Sequence, residues 1–160
     1  MVGLDPREVV KPRIVVVSGG FDPLHEGHIR YIEAARKLGT TLVAIVNSDA
    51  FITRKRLKQG LPPQPFWSLE TRLTVVGALR AVDVVVAAID EDDTVCATLT
   101  ALSQHTFLRP HIFANGGDRK EGLVPEDAVC AAHGIELTYG VGGTDKPNSS
   151  STLIAHARMS

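Results

Sequence analysis

Cysteine is nearly absent from this 160-residue chain: Cys96 and Cys130 are the only two, and they form no C-x-x-C pair. A disulfide framework is therefore excluded, and a reduced compartment with plain packing roles for both thiols is expected. No run approaches the ~18 consecutive apolar residues of a membrane span. Residues 1–12 lack the apolar stretch of a secretory signal, so a cytoplasmic location is expected. Net charge is also missing. With 17 basic and 18 acidic residues the balance is −1, which argues against an overall grip on nucleic acid or an anionic membrane. Any anion site must be a local cluster. There is no short repeat, low-complexity tract or linker, and 44% hydrophobic with 22% charged residues excludes collagen, coiled coil and disorder. The length suits one domain that buries roughly 70% of its unfolded surface. We expect residues 1–12 to be an N-terminal arm and residues 13–160 the domain.

What is present is a regular alternation. Ile14–Val17 is a short β-branched run of the kind buried on both faces of a parallel sheet. A helix is expected from His25 to Leu38, with Ile29, Ile32, Ala35 and Leu38 on one stripe and Gly39 as its stop. Leu42–Val46 is the second strand, followed by a short basic segment at residues 54–58 and a proline-rich loop. Ser68 caps the next helix, whose buried stripe is Leu69, Leu73, Val76 and Leu79. Strands are expected at Val82–Val86, His111–Ala114 and Ile135–Tyr139. Between them lie helices at Thr94–Gln104 and from Pro125 to Gly134, and a last short helix follows Ser149. The acids at residues 90–93 suit the positive end of the helix they precede. Five such alternations predict an α/β fold, a doubly wound parallel five-stranded sheet in a single domain.

Parallel sheets bind ligands beyond the carboxyl ends of their strands. The first strand runs into Gly19-Gly20-Phe21-Asp22-Pro23-Leu24-His25-Glu26-Gly27-His28. The glycines let backbone amides approach an anion, and the helix start adds free N–H groups and a positive dipole end. His25 and His28 lie three apart and share a helix face. No serine or cysteine nucleophile stands beside them, and two histidines do not close a zinc site, so no metal is assigned to side chains. Such a pocket suits phosphoryl or nucleotidyl transfer, in which charge at phosphorus is stabilised without a covalent step. A chain of this composition would contain H-x-G-H by chance about 2% of the time.

This segment resembles the signature [GST]-x-F-D-x-x-H-x-G-H of the cytidylyltransferase-like nucleotidyltransferases, and the likeness runs from about Arg13 to Ile154. The superfamily includes glycerol-3-phosphate cytidylyltransferase and the adenylyltransferase domain of ADP-heptose synthase. Val46-Asn47-Ser48-Asp49-Ala50 with the basic segment is similar to those two branches. Ser68-Leu69-Glu70-Thr71-Arg72 resembles the helix opening that carries an essential arginine. Gly116-Gly117-Asp118 resembles the turn where base and ribose lie, and Ser149–Thr152 stands where the family has I-S-T-T. One departure is Lys146, which stands in place of an arginine and lacks its bidentate fork.

The resemblance implies a Rossmann-like fold and attack by an acceptor phosphate oxygen on the α-phosphorus of CTP or ATP, with release of pyrophosphate. CMP transfer to a phosphorylated polyol, sugar or alcohol is the favoured expectation. Adenylyl transfer of the heptose-phosphate type and a catalytically silent nucleotide-binding module are the alternatives, with a flavodoxin-like domain a more distant one. His25, His28, Lys55 and Arg72 are the implied catalytic residues. Gly19, Gly20, Phe21, Asp22, Gly27, Gly116, Gly117, Asp118, Lys146, Ser150, Ser151 and Thr152 are implied to bind the nucleotide. Lys58, Asn47 and Asp49 are implied to bind the acceptor, with Lys55 and Lys58 on a flexible flap. Arg72 is expected on phosphate, or else paired with Asp83 or Glu70. Asp22 is expected to hold backbone amides or a magnesium-bound water. Mg²⁺ is implied through the triphosphate, and a homodimer is implied as well.

Overall fold

The structure is a computed structural model and describes residues 10–117, 124–143 and 150–158. Residues 1–9 of the expected arm, and Asp118, Arg119, Lys146 and Ser149, lie outside them.

Five strands form one sheet: β1 (Ile14–Gly19), β2 (Thr41–Val46), β3 (Val84–Ala87), β4 (Ile112–Gly116) and β5 (Glu136–Val141). All pairings are parallel, in the order β3-β2-β1-β4-β5. The helices are α1 (Glu26–Arg36), α2 (Asp49–Lys58), α3 (Leu69–Gly77), α4 (Cys96–Ser103), α5 (Glu126–His133) and α6 (Ser150–Arg158).

The period of two along the central strands divides the core. Val15 and Val17 of β1 and Leu42, Ala44 and Val46 of β2 face Ile32 and Ala35 of α1 and Val76 of α3. Ile14, Val16, Val43 and Ile45 face the other way, onto Leu99 and Leu102 of α4 and Cys130 of α5. Both faces are dry, so these strands read as unbroken apolar runs rather than alternating ones. Burial pushes the Cys130 thiol up to about 12 and raises Cys96 too, as suits packing positions.

The expected stripe is present: Leu69 and Leu73 of α3 pack against the core that buries Val76, and Leu79, just past the helix end, packs there too. Gly134 ends α5 with φ +67°, the left-handed stop that favours glycine. Asp90 is buried and accepts hydrogen bonds from the Ala97 and Thr98 amides at the start of α4 (2.6 and 3.1 Å), in keeping with the macrodipole reading.

One expectation is corrected. The basic segment is no flap: residues 49–58 form α2, capped where the Ser48 hydroxyl accepts from the Phe51 amide at 3.1 Å. Its apolar content is too low for a visible stripe, because the face it buries consists of Ile52 and Arg56. Among the described residues no helix is long and apolar enough to cross a membrane.

Candidate active site

The strand order reverses between β1 and β4, and the crevice at such a switch point is where a doubly wound sheet takes its ligand. The β1–α1 turn fills it. Phe21 has φ +50°, a left-handed backbone for a non-glycine residue, and its ring is buried. A Cβ on Gly19 would lie 2.9 Å from that ring, and one on Gly20 would lie 2.5 Å from Cδ1 of Ile52. The two glycines thus let the turn close down on α2.

His25 is the N-cap of α1. Its Nδ1 accepts from the Gly27 amide at 3.0 Å, and Nδ1 of His28 accepts from the His25 amide at 3.2 Å. With both Nδ1 atoms acting as acceptors, each neutral ring carries its proton on Nε2. The rings stack with centroids 3.8 Å apart, and Phe21 meets His28 edge-on at 5.2 Å. Burial lowers His25 below its ordinary value. Burial, then His25 and Lys55, push His28 down to about 3. Near neutral pH the pair therefore offers two neutral Nε2–H donors at the positive end of a helix.

A small cleft of about 50 Å³ opens beside them. It is lined by Gly20, Phe21 and His28 of the turn, by Lys55 and Gln59 from α2 and its cap, and by Ile154 of α6. Gly116 and Gly117 stand across the switch point at the end of β4. The Gly116 backbone passes under Tyr31 of α1, with room for no Cβ (2.8 Å to the ring), and Gly117 has φ +70°. Tyr31 also donates a hydrogen bond to the Ala114 carbonyl. Thr152 is exposed on α6. Ser150 and Ser151 open that helix, but their side chains, like Asp118 and Lys146, lie outside the described residues.

Arg72 and Lys58 are placed differently from phosphate ligands. Arg72 is fully buried. Its Nε donates to the Trp67 carbonyl (3.1 Å), Nη1 to the carbonyls of Gly20 (2.9 Å) and Asn47 (2.6 Å), and Nη2 to Asp49 (2.5 Å). Its carboxylate partner is Asp49, not Asp83 or Glu70. Asp83 faces Arg36 at 3.4 Å instead. Arg72 and Asp49 thereby lock the ends of β1 and β2 to α3. Lys58 and Arg54 turn outward to Asp93 on the β3–α4 loop, so Lys58 is directed away from the cleft. Asn47 is buried just past the end of β2, and among the described residues its Oδ1 has no hydrogen-bond partner.

Asp22 lines the cleft, and both oxygens of its carboxylate accept hydrogen bonds. It accepts from Arg56 (2.6 Å) and from the amides of Phe66 (2.8 Å) and Trp67 (2.7 Å). It therefore holds backbone amides. Among the described residues no group of three or more metal-ligating side chains is assembled.

Arg56 is the residue that sequence reasoning overlooked. Had residues 49–58 been read as a helix, the i,i+4 spacing of Ile52 and Arg56 would have put both on its inner face. Gln59 and Ile154 carry no local signal and reach the cleft through tertiary packing.

A family model, cytidylyltransferase-like, matches residues 16–133. The chain is similar to the Bifunctional protein HldE of Proteus mirabilis, 45% identical over 135 residues that cover 84% of this chain and 24% of that protein. It is also similar to the Bifunctional protein HldE of Hahella chejuensis, 39% identical over 143 residues, 89% of this chain and 26% of that protein. The chain thus spans about a quarter of the length of these curated relatives. Among solved structures it resembles the lipopolysaccharide core biosynthesis protein from Thermoplasma volcanium GSS1. There the TM-score is 0.60 at 25% identity, covering 81% of this chain and 95% of that one.

Proposed function

The chain belongs to the cytidylyltransferase-like family, and on that premise we propose that it is a nucleotidyltransferase that joins the adenylyl group of ATP to a phosphorylated sugar and releases pyrophosphate. The observation that carries this is the stacked, neutral His25–His28 pair at the start of α1, with both protons on Nε2. The adenylyl reading takes precedence over the cytidylyl expectation. It is supported by the HldE relatives and by the lipopolysaccharide-core protein among the structural neighbours.

In this mechanism an acceptor phosphate oxygen forms a bond to the α-phosphorus, and the bond from that phosphorus to the β-phosphate oxygen breaks. The acceptor is already ionised near neutral pH, so no residue need act as general base. Nε2–H of each imidazole donates to the oxygens on which charge builds. The Gly20 and Phe21 amides and the α1 dipole hold phosphate at the turn. Lys55 supplies a mobile point charge from α2. Asn47, just past the end of β2, is assigned with Asp49 to the acceptor side of the site. Roles for Gly116–Asp118 at the base and ribose, for Lys146, and for Ser150–Thr152 at the start of α6 belong to the same proposal. So do triphosphate-borne Mg²⁺, the cytoplasmic location and a homodimer, which sedimentation would detect.

The test is pyrophosphate release with ATP and CTP against a panel of sugar, polyol and alcohol phosphates. ATP with a sugar 1-phosphate is expected to turn over, and His28→Ala to lose about 100-fold or more in kcat. Turnover with CTP alone would return the reaction to cytidylyl transfer. Full activity in His28→Ala would dismiss the proposed site.

A further inference from the structure

The β1–α1 turn, α2 and the proline-rich loop meet on one buried ion pair. The side chains of Arg56 and Asp22 are 6% and 1% exposed and 2.6 Å apart. Arg56 Nη2 also reaches the Asp22 carbonyl at 3.3 Å, and Nη1 donates to the Gln64 carbonyl. Asp22 in turn holds the amides of Phe66 and Trp67. Three acceptors in two directions need a planar fork, which a lysine does not have.

We propose that Arg56 is a positioning residue for the transfer reaction: by tying α2 and the proline-rich loop to the β1–α1 turn, it sets where Lys55 stands relative to His25 and His28. The proposal rests on the transfer reading above.

Lys55 immediately precedes Arg56 on α2 and lines the cleft together with His28. A lysine stem is long and flexible, so the place of its ammonium group over a reaction depends on where the helix axis lies. Other attachments of α2 are weaker or distant. At the far end Ser48 caps the helix and Asp49 pairs with the buried Arg72. The outer pairs of Arg54 and Lys58 with Asp93 are substantially exposed, and such pairs contribute little. Ile52 packs against Gly20, but an apolar contact does not select one sliding position along the turn. The Asp22–Arg56 pair does, because both of its ends are already bonded to fixed backbone.

The test compares Arg56→Met, Arg56→Lys and Asp22→Asn with the wild-type chain, at temperatures where circular dichroism shows each variant folded. Two readouts are taken: steady-state pyrophosphate release, and the titration midpoint of His28 by imidazole NMR, which needs no substrate. His28 is faced by His25 on α1, by the Phe21 ring in the turn and by Lys55 on α2. Arg56→Met is expected to lower kcat about 100-fold, the effect of an ångström-scale misplacement, and to change KM for the nucleotide less. Asp22→Asn should follow it, and Arg56→Lys should recover to within about tenfold of wild type. In Arg56→Met the His28 midpoint should rise from about 3 towards the ordinary 6.5 as the ring rehydrates. A residue that only supports the fold would lower Tm and leave both kcat per folded molecule and the His28 midpoint unchanged, and that result would overturn the proposal. If the wild-type chain transfers no nucleotide to any acceptor, the transfer reading fails separately. The His28 midpoint then still decides whether Arg56 positions α2.

Discussion

Replacing Arg72 by methionine separates two uses of a guanidinium that the sequence alone does not distinguish. The apolar stem stays, and the four hydrogen bonds to Trp67, Gly20, Asn47 and Asp49 are lost. Three of those partners are backbone carbonyls around a side chain with no exposed surface, and each buried orphan costs about 1–3 kcal/mol. Asp49 is half-exposed and regains water, so it adds little. Some carbonyls will relax towards solvent, which places the total at about 3–5 kcal/mol, the range for breaking one side of a buried ion pair. Total stabilities are about 5–15 kcal/mol, so this is a large share. At roughly 2–4 °C per kcal/mol for a domain of this size, Tm should fall by at least about 6 °C. Urea unfolding followed by circular dichroism gives the loss, and ATP titration of the folded variant gives its binding. A phosphate ligand would behave in the opposite way. If Arg72→Met unfolds within about 1 kcal/mol of wild type yet binds ATP about 100-fold more weakly, the buried bonding described above is not what Arg72 does.

Two further measurements test the site and the turns around it. His28 titrates near its ordinary 6.5 when unfolded and at about 3 when folded. Between those values the unfolded chain binds a proton that the folded one refuses, so stability should fall as pH drops from 6.5 towards 3, by about 1.4 kcal/mol per pH unit. Above pH 6.5 the group contributes no slope. Urea midpoints at pH 7, 6 and 5 should show this decline in wild type and a shallower one in His28→Gln; equal slopes would contradict the buried neutral imidazole. Gly142 has φ +85°, and a Cβ there would sit 2.9 Å from Cα of Tyr31, whereas Gly134 has φ +67° with open space around it. Gly134→Ala should cost about 1–2 kcal/mol for the left-handed backbone alone. Gly142→Ala should cost at least about 1 kcal/mol more, because backbone must move, and thermal melts of the two variants will rank them.

The motif after β1 was legible because its chemistry is local. His25 caps the helix it begins, His28 bonds back to the His25 amide, and the glycines make the turn; all of this lies within ten residues of sequence. The parallel sheet was legible because β-branched runs and helix punctuation alternate five times. α2 was not, since its inner face carries an arginine where an apolar residue would announce a helix. The family resemblance points Lys58 and Arg72 at substrate, but a cation looks the same in sequence whether it faces a ligand or a carboxylate. Asp93 lies 35 residues from Lys58, and Asp49 lies 23 residues from Arg72. No local rule connects such pairs.

By itself, then, the sequence determined the elements other than α2, the parallel sheet and the imidazole pair at the start of α1. Those depend on backbone periodicity and on contacts between residues three or four apart. The tertiary structure alone decided which charges face the cleft and which hold it together. Folding brought Asp22 to Arg56, Asp49 to Arg72 and Asp93 to Lys58. Lys55 lines the cleft beside His28. In a chain with almost no net charge, those pairings allow a local anion site to form without an excess of basic residues.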